Sequence, residues 1–122
     1  MKIRVSKDNF AIAKLKRIEK IPRSAFVVIF DRGEITLVAK ESEVEKLECE
    51  GIEKSFRLIT FDMLLPFDLV GFLAKIFQAL AEEGISVFAI SSYSTDHILI
   101  KEKDLKKSLE VLKKLGFKVV EN

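Results

Sequence analysis

From residue 56 onward the spacing of apolar positions switches between two periods, and each switch marks an element. Phe56–Phe61 (FRLITF) is rich in β-branched and aromatic residues and predicts a strand. Leu69, Phe72, Leu73, Ile76, Phe77 and Leu80 then recur at helical spacing, with Lys75, Gln78, Glu82 and Glu83 opposite them. That pattern predicts an amphipathic helix over Asp68–Glu83, with Asp68 as N-cap and Gly84 as the residue past its end. Ile85–Ser92 and His97–Lys101 predict two strands joined by a turn at Ser94-Thr95-Asp96. After Lys101–Asp104 a last helix presents Leu105, Leu109, Leu112 and Leu115, with Lys106, Lys107, Lys113 and Lys114 outside. Gly116 stops it, and Phe117–Val120 reads as the final strand. The order strand, helix, strand, strand, helix, strand is that of the ferredoxin-like plait.

The first half carries a fainter version of this pattern. Lys2–Val5 and Phe10–Leu15 alternate and predict short strands. Lys16–Lys20 is charged and ambiguous, and Pro22-Arg23-Ser24 either opens one helical turn or bends the chain. Ala25–Phe30 (AFVVIF) predicts a buried strand, Asp31-Arg32-Gly33 a hairpin connection, and Glu34–Lys40 its partner. Ser42 and Glu45 match a capping box, so a short helix is expected to run to about Leu47, with Gly51 ending the polar connection after it. The strand at Phe56–Phe61 either closes this first unit or opens the second. The second option is preferred, because Lys2–Val5 and Phe10–Leu15 then supply the first unit's outer strands. The expected division is residues 1–55 as a degenerate unit and 56–122 as a complete one.

Composition narrows the function classes. With 48% apolar residues and ten Phe in 122 positions, a real core is expected and disorder is not. Net charge is +2 with the signs interspersed, so neither nucleic-acid nor membrane-surface binding is supported. No apolar run approaches the roughly 20 residues of a membrane span. Met1-Lys2-Ile3-Arg4-Val5 lacks a signal peptide's apolar region, so a cytoplasmic protein is expected. Cys49 stands alone between Glu48 and Glu50, which excludes an intrachain disulfide or a thiolate cluster and favours a raised thiol pKa. Abundant Lys and Glu against a sparse Gln and Asn complement fit a thermophile's surface. No cofactor motif is present.

Gly71, in the first turn of the predicted helix, needs a reason, since glycine inside a helix costs about 0.5–1 kcal/mol relative to alanine. One reason is close packing of helix on sheet. The other is approach of a ligand to the helix N-terminus, whose free N–H groups and positive dipole end suit a carboxylate or phosphate.

The run Val70–Val87 (VGFLAKIFQALAEEGISV) strongly resembles the ACT-domain pattern, and Ile90–Ile100 (ISSYSTDHILI) is similar to the aspartokinase-type subgroup. The whole chain resembles small stand-alone tandem ACT proteins, akin to the CASTOR arginine sensors. The resemblance implies an α+β fold of two tandem ferredoxin-like units, the first degenerate, with antiparallel sheets and helices on one face. It implies a non-catalytic regulatory module that binds an amino acid at an interface between ACT units, commonly in a homodimer. The family's ligand positions carry over to Leu65, Pro66, Phe67, Asp68, Leu69, Val70 and Gly71, and to Ser91, Ser92, Tyr93, Ser94, Thr95 and Asp96. Amides around Leu69–Gly71 suit an α-carboxylate, and Asp96 or Asp68 an α-ammonium. Family loops often place proline directly before the glycine; here it is Val70, with Pro66 further back.

Three other readings compete. In the first, the protein is a structural or partner-binding dimerisation module, with Asp68 only a cap and Ser91–Asp96 only a turn. In the second, His97, Asp96 and Ser94 suggest a triad, but strand neighbours point to opposite faces, and no nucleophile elbow, phosphate loop or metal motif accompanies them. In the third, Ala25-Phe26-Val27 brushes an RNA-binding signature, yet Pro22, Arg23, Ser24 and Ile29 fail its four flanking places. Phe72, Phe77 and Phe88 are read as core fillers rather than a ring-binding box.

Overall fold

The computed structural model describes residues 1–63 and 71–121. The strands are β1 (Lys2–Val5), β2 (Phe10–Leu15), β3 (Val27–Asp31), β4 (Glu34–Lys40), β5 (Gly51–Phe61), β6 (Phe88–Ser91), β7 (Asp96–Lys101) and β8 (Lys118–Glu121). The helices are α1 (Glu41–Val44), α2 (Phe72–Glu82) and α3 (Leu105–Lys114), the last entered through one 3₁₀ turn at Glu102–Asp104. The chain divides into two compact units: Asp8–Phe56, and Met1–Lys7 together with Arg57 onward.

In the Asp8–Phe56 unit the strand order is β3-β4-β2-β5. With β2, β3, β4 and β5 taken in sequence, this is the ferredoxin-like order. Both helices of the plait are reduced. Between β2 and β3 there is only a turn at Arg23–Ser24, and α1 is a single turn. The reason lies in the core, which is built on Ala11, Ala13 and Ala39 with Leu15, Leu37 and Val44. Such small side chains leave little apolar relief for a full helix to pack on. The expected capping box does not form. Lys40 occupies the N-cap position of α1 without a side-chain cap, and the Glu41 N–H donates to the Asn9 carbonyl at 2.9 Å.

The other unit is a complete plait with one strand added. Its order is β6-β7-β5-β1-β8. Ile3, Ile59, Phe61, Ile98 and Ile100 point from alternate positions of three strands to one face, where Ile76 and Leu80 of α2 and Leu112 of α3 cover them. Phe61, Phe72 and Phe117 meet edge to face, with centroids 5.3–6.3 Å apart. Phe72 and Phe77 pack on this core as expected, whereas Phe88 is half-buried opposite Leu99, outside that cluster. Ser108 takes the buried place on α3 that Leu115 was expected to fill. Its hydroxyl donates to the Asp104 carbonyl one turn back, at 2.8 Å, while Leu115 is exposed.

Three expectations need correction. Lys2–Val5 does not serve the first unit. β1 pairs antiparallel with Ile59–Phe61 and parallel with β8, so this sheet is mixed rather than wholly antiparallel. No hairpin fixes the relative direction of β1 and β8, which come from opposite ends of the chain. Ser6 locks the β1 end: its N–H donates to the Leu58 carbonyl, its hydroxyl accepts from the Leu58 N–H, and its carbonyl accepts from the Arg57 guanidinium. Next, β5 is longer than Phe56–Phe61 and does both jobs that seemed exclusive. Gly51–Phe56 pairs with β2 and closes one unit, and Arg57–Phe61 opens the other. The handover is marked by a register shift opposite Phe10–Ile12 and by Ser55 at φ 64°, whose N–H donates to Glu41 Oε1 at 2.7 Å. Lastly, Gly71 is the N-cap of α2 rather than a residue of its first turn.

Candidate functional site

Of the ligand positions expected from the sequence, Leu65, Pro66, Phe67, Asp68, Leu69 and Val70 lie outside the described residues. Gly71 and Ser91–Asp96 are described, and both belong to the complete plait.

Gly71 has φ 80°, a left-handed conformation that L side chains adopt at a cost. Among the described residues, a Cβ built on it meets nothing within 4 Å. None of the described residues packs closely enough to require this glycine, whereas its left-handed backbone does. Behind it runs an 11-residue helix with no acidic residue in its first turn and, among the described residues, no side-chain cap. The N-terminal amides and dipole of α2 thus lack a carboxylate from their own first turn.

The tip of the β6–β7 hairpin brings the short polar side chains together. Ser91 and Asp96 are paired across the strands, and the Ser91 hydroxyl donates to Asp96 Oδ1 at 2.6 Å, a charge-assisted bond. The Ser92 N–H and the Ser92 hydroxyl both donate to the Thr95 carbonyl, at 2.9 and 2.8 Å. The turn is therefore Ser92–Thr95, two residues earlier than expected, and Asp96 is already in the strand. Tyr93 stands at the tip, 81% exposed.

Beneath the tip lies a group that sequence reasoning left as a bland strand residue. His97 is 8% exposed; its Nδ1 is 3.0 Å from Thr60 Oγ1 and its Nε2 is 3.4 Å from Ser92 Oγ. The only hydroxyl proton of Ser92 goes to the Thr95 carbonyl, so Nε2 carries the hydrogen and donates to Ser92. Nδ1 then accepts from Thr60. Burial pushes the His97 pKa below its ordinary value, opposed by the Asp96 carboxylate and aided by the Arg4 guanidinium. His97 is neutral at pH 7 and fastens the tip to β5. Asp96 is engaged by Ser91 while His97 is engaged by Thr60 and Ser92, an arrangement that anchors a turn rather than activating a nucleophile. Nothing local in the sequence signals Thr60, because its link to His97 is made across 37 residues by strand pairing.

The Asp8–Phe56 unit holds a groove of about 600 Å³, lined by Leu15–Lys20 and Leu47–Glu50, where the plait's first helix is missing. Cys49 lines it, with Sγ 3.6 Å from the Leu47 carbonyl and 3.8 Å from that of Val44. Its thiol pKa is raised, as expected, and the cause is burial. Among the described residues no cluster of His, Cys, Asp and Glu is arranged to hold a metal, and no helix is long and apolar enough to cross a membrane.

Comparison with known proteins places this geometry. No curated protein matches the chain. Among solved structures, a protein from Agrobacterium tumefaciens superposes with a TM-score of 0.80 at 21% identity, over 99% of this chain and 92% of its own. A Vibrio cholerae protein of unknown function, described as a possible transport protein, gives 0.77 at 22% over 90% and 85%. The ligand-free regulatory subunit of aspartate kinase from Thermus thermophilus gives 0.66 at 12% over 93% and 96%. At such identities these likenesses establish the fold. The family model described as "ACT domain" matches residues 51–114, which run from the first residue of β5 to the last of α3. With that match covering more than half of the sequence, the chain belongs to the ACT-domain family.

Proposed function

We propose that this protein is a non-catalytic regulatory module that binds an amino acid, or a similar small zwitterion, in the cytoplasm, and that it works as a homo-oligomer. The observation that carries the reading is the left-handed Gly71 at the N-cap of α2, where a Cβ would meet none of the described residues within 4 Å. The amides from Leu69 to Gly71 receive the α-carboxylate, and Leu65, Pro66, Phe67, Asp68 and Val70 shape the loop before them. Asp96, with one carboxylate oxygen engaged by Ser91, takes the α-ammonium through the other. Ser92, Tyr93, Ser94 and Thr95 border the ligand at the hairpin tip. Membership of the ACT family and the fold shared with an aspartate kinase regulatory subunit support a regulatory role.

A second reading has its own observation. The hydroxyls of Ser91 and Ser92 are spent within the hairpin, as a purely structural turn requires. In that case the protein is a partner-binding module without a ligand. One experiment separates the two. In a thermal-shift panel of the common amino acids, the sensor raises its melting temperature for one or two members, and Asp96→Ala abolishes the response. A folded protein with no response to any member favours the structural module.

A further inference from the structure

The groove of the Asp8–Phe56 unit takes no part in the amino-acid site proposed above, whose described positions belong to the complete plait. Its two walls part from one point. Lys14 pairs with Gly51, and the Lys14 carbonyl accepts from the Glu50 N–H at 2.8 Å. Beyond that bond Leu15–Lys20 and Leu47–Glu50 separate, and about 600 Å³ opens between them. The apolar lining comes from Leu15, which is buried, and from Ile18, Leu47 and Cys49, which are half-buried against the same core. Burial pushes the Cys49 thiol pKa up, so this lining carries no charge. The unit's other exposed feature is the edge of β3, where Ile29 and Phe30 are 43% and 69% exposed. That edge offers apolar surface, whereas the groove sets charges of both signs around an apolar lining.

The charges say what kind of ligand fits. On one wall Arg17 and Glu19 pair with each other at 3.6 Å and cancel, which leaves Lys16 and Lys20. The other wall carries Glu48 and Glu50. Among the described residues none of these four enters an ion pair, and the main chain of Lys16–Lys20 makes no hydrogen bond. The amides of that segment therefore add donors to the cationic wall. A cationic wall, an anionic wall and an apolar lining suit a ligand with an anionic end, a cationic end and an apolar body. A free amino acid carries both charges on one carbon and fills only part of this volume. The end of a long chain brings only one of the two charges. A short free peptide brings both, separated by about 3.3–3.6 Å of extended backbone per residue.

We infer that the groove is a second ligand site, and that it takes a short free peptide of roughly two to four residues. The peptide carboxylate lies on Lys16, Lys20 and the amides between them, its ammonium on Glu48 and Glu50, and an apolar side chain on Ile18 and Leu47. The test is an amide ¹H–¹⁵N titration of the full chain with a panel of tripeptides that have alanine at both ends and alanine, leucine, phenylalanine or glutamine in the middle. At least one member should give saturable perturbations at Leu15–Lys20 and Leu47–Glu50, with Gly71 unmoved. Amidating its C-terminus or acetylating its N-terminus should each weaken binding by roughly 5-fold. The double variant Lys16→Gln, Lys20→Gln should lose the preference for the free peptide over its amide and keep the preference over its acetylated form. Glu48→Gln with Glu50→Gln should do the reverse. All four side chains are exposed, so the fold should persist, and the same spectra read it. The inference is overturned if no member saturates at the groove, if the capped peptides bind as well as the free one, or if the double variants keep both preferences. It does not depend on the site at Gly71. The thermal-shift panel of free amino acids reads that site separately, so either idea can fail without the other.

Discussion

The two units share the plait's strand order, except that β1 is inserted between β5 and β8 in one of them, but not one way of filling the space above it. In the complete plait, isoleucine and phenylalanine rise from β1, β5 and β7 to meet two full helices. In the Asp8–Phe56 unit, alanines occupy corresponding places on β2 and β4, and a loop and a single helical turn lie over them. The difference teaches that a plait keeps its sheet when its helices wither, provided the sheet's own side chains shrink with them. It also distributes exposure: the reduced unit has the groove and the apolar edge, while the complete one has the left-handed Gly71 at the start of α2 and the tied hairpin.

The largest effect expected from this contrast is in the cores. Phe61→Ala removes a fully buried ring that two other phenylalanines contact, and should cost about 3–5 kcal/mol of unfolding free energy. Leu37→Ala, equally buried but among alanines, should fall at the low end of the leucine range, about 2–3 kcal/mol. Denaturant titration gives the totals, and hydrogen exchange assigns each loss to its unit. Equal costs would show that the small core is packed as tightly as the large one.

A smaller effect concerns the hairpin tie. Thr60→Val leaves the buried Nδ1 of His97 without its donor and should cost about 1–3 kcal/mol. Because burial holds the folded-state pKa of His97 below its ordinary 6.5, the unfolded chain binds the proton more readily. The stabilisation is therefore complete above pH 6.5 and is lost as the pH falls from there through the lower, folded-state value. His97→Gln should flatten that part of the stability–pH curve. No counterpart of this slope is expected in the Asp8–Phe56 unit, which contains no histidine.

The smallest stability effect belongs to the candidate site. Gly71→Ala meets no steric obstacle among the described residues, so its cost should be the left-handed backbone term alone, about 1–2 kcal/mol by chemical denaturation. A larger loss would mean that the glycine also serves packing.

Much of this organisation is legible in the sequence because local signals carry it. The helical stripe of Phe72–Leu80, the left-handed Gly33, Gly84 and Gly116, and the strand pairs around them are set by residues a few positions apart. What the sequence conceals is set across distance. Gly51–Ser55 is polar and reads as a loop, yet pairs with β2. Lys2–Val5 has the pattern of any short strand, and only the exposed edges of β5 and β8 decide where it inserts. At the site, Gly71 announces itself by its type, and the Ser91–Asp96 pairing follows from the hairpin. The Thr60–His97 link leaves no local trace.

The most direct test of the central claim is an amide ¹H–¹⁵N titration of the full chain with the amino acid that gives the largest thermal shift. The account predicts saturable perturbations concentrated at Leu65–Gly71 and Ser91–Asp96. Perturbations confined to the Leu15–Lys20 and Leu47–Glu50 groove, with Gly71 and the hairpin unmoved, would contradict it.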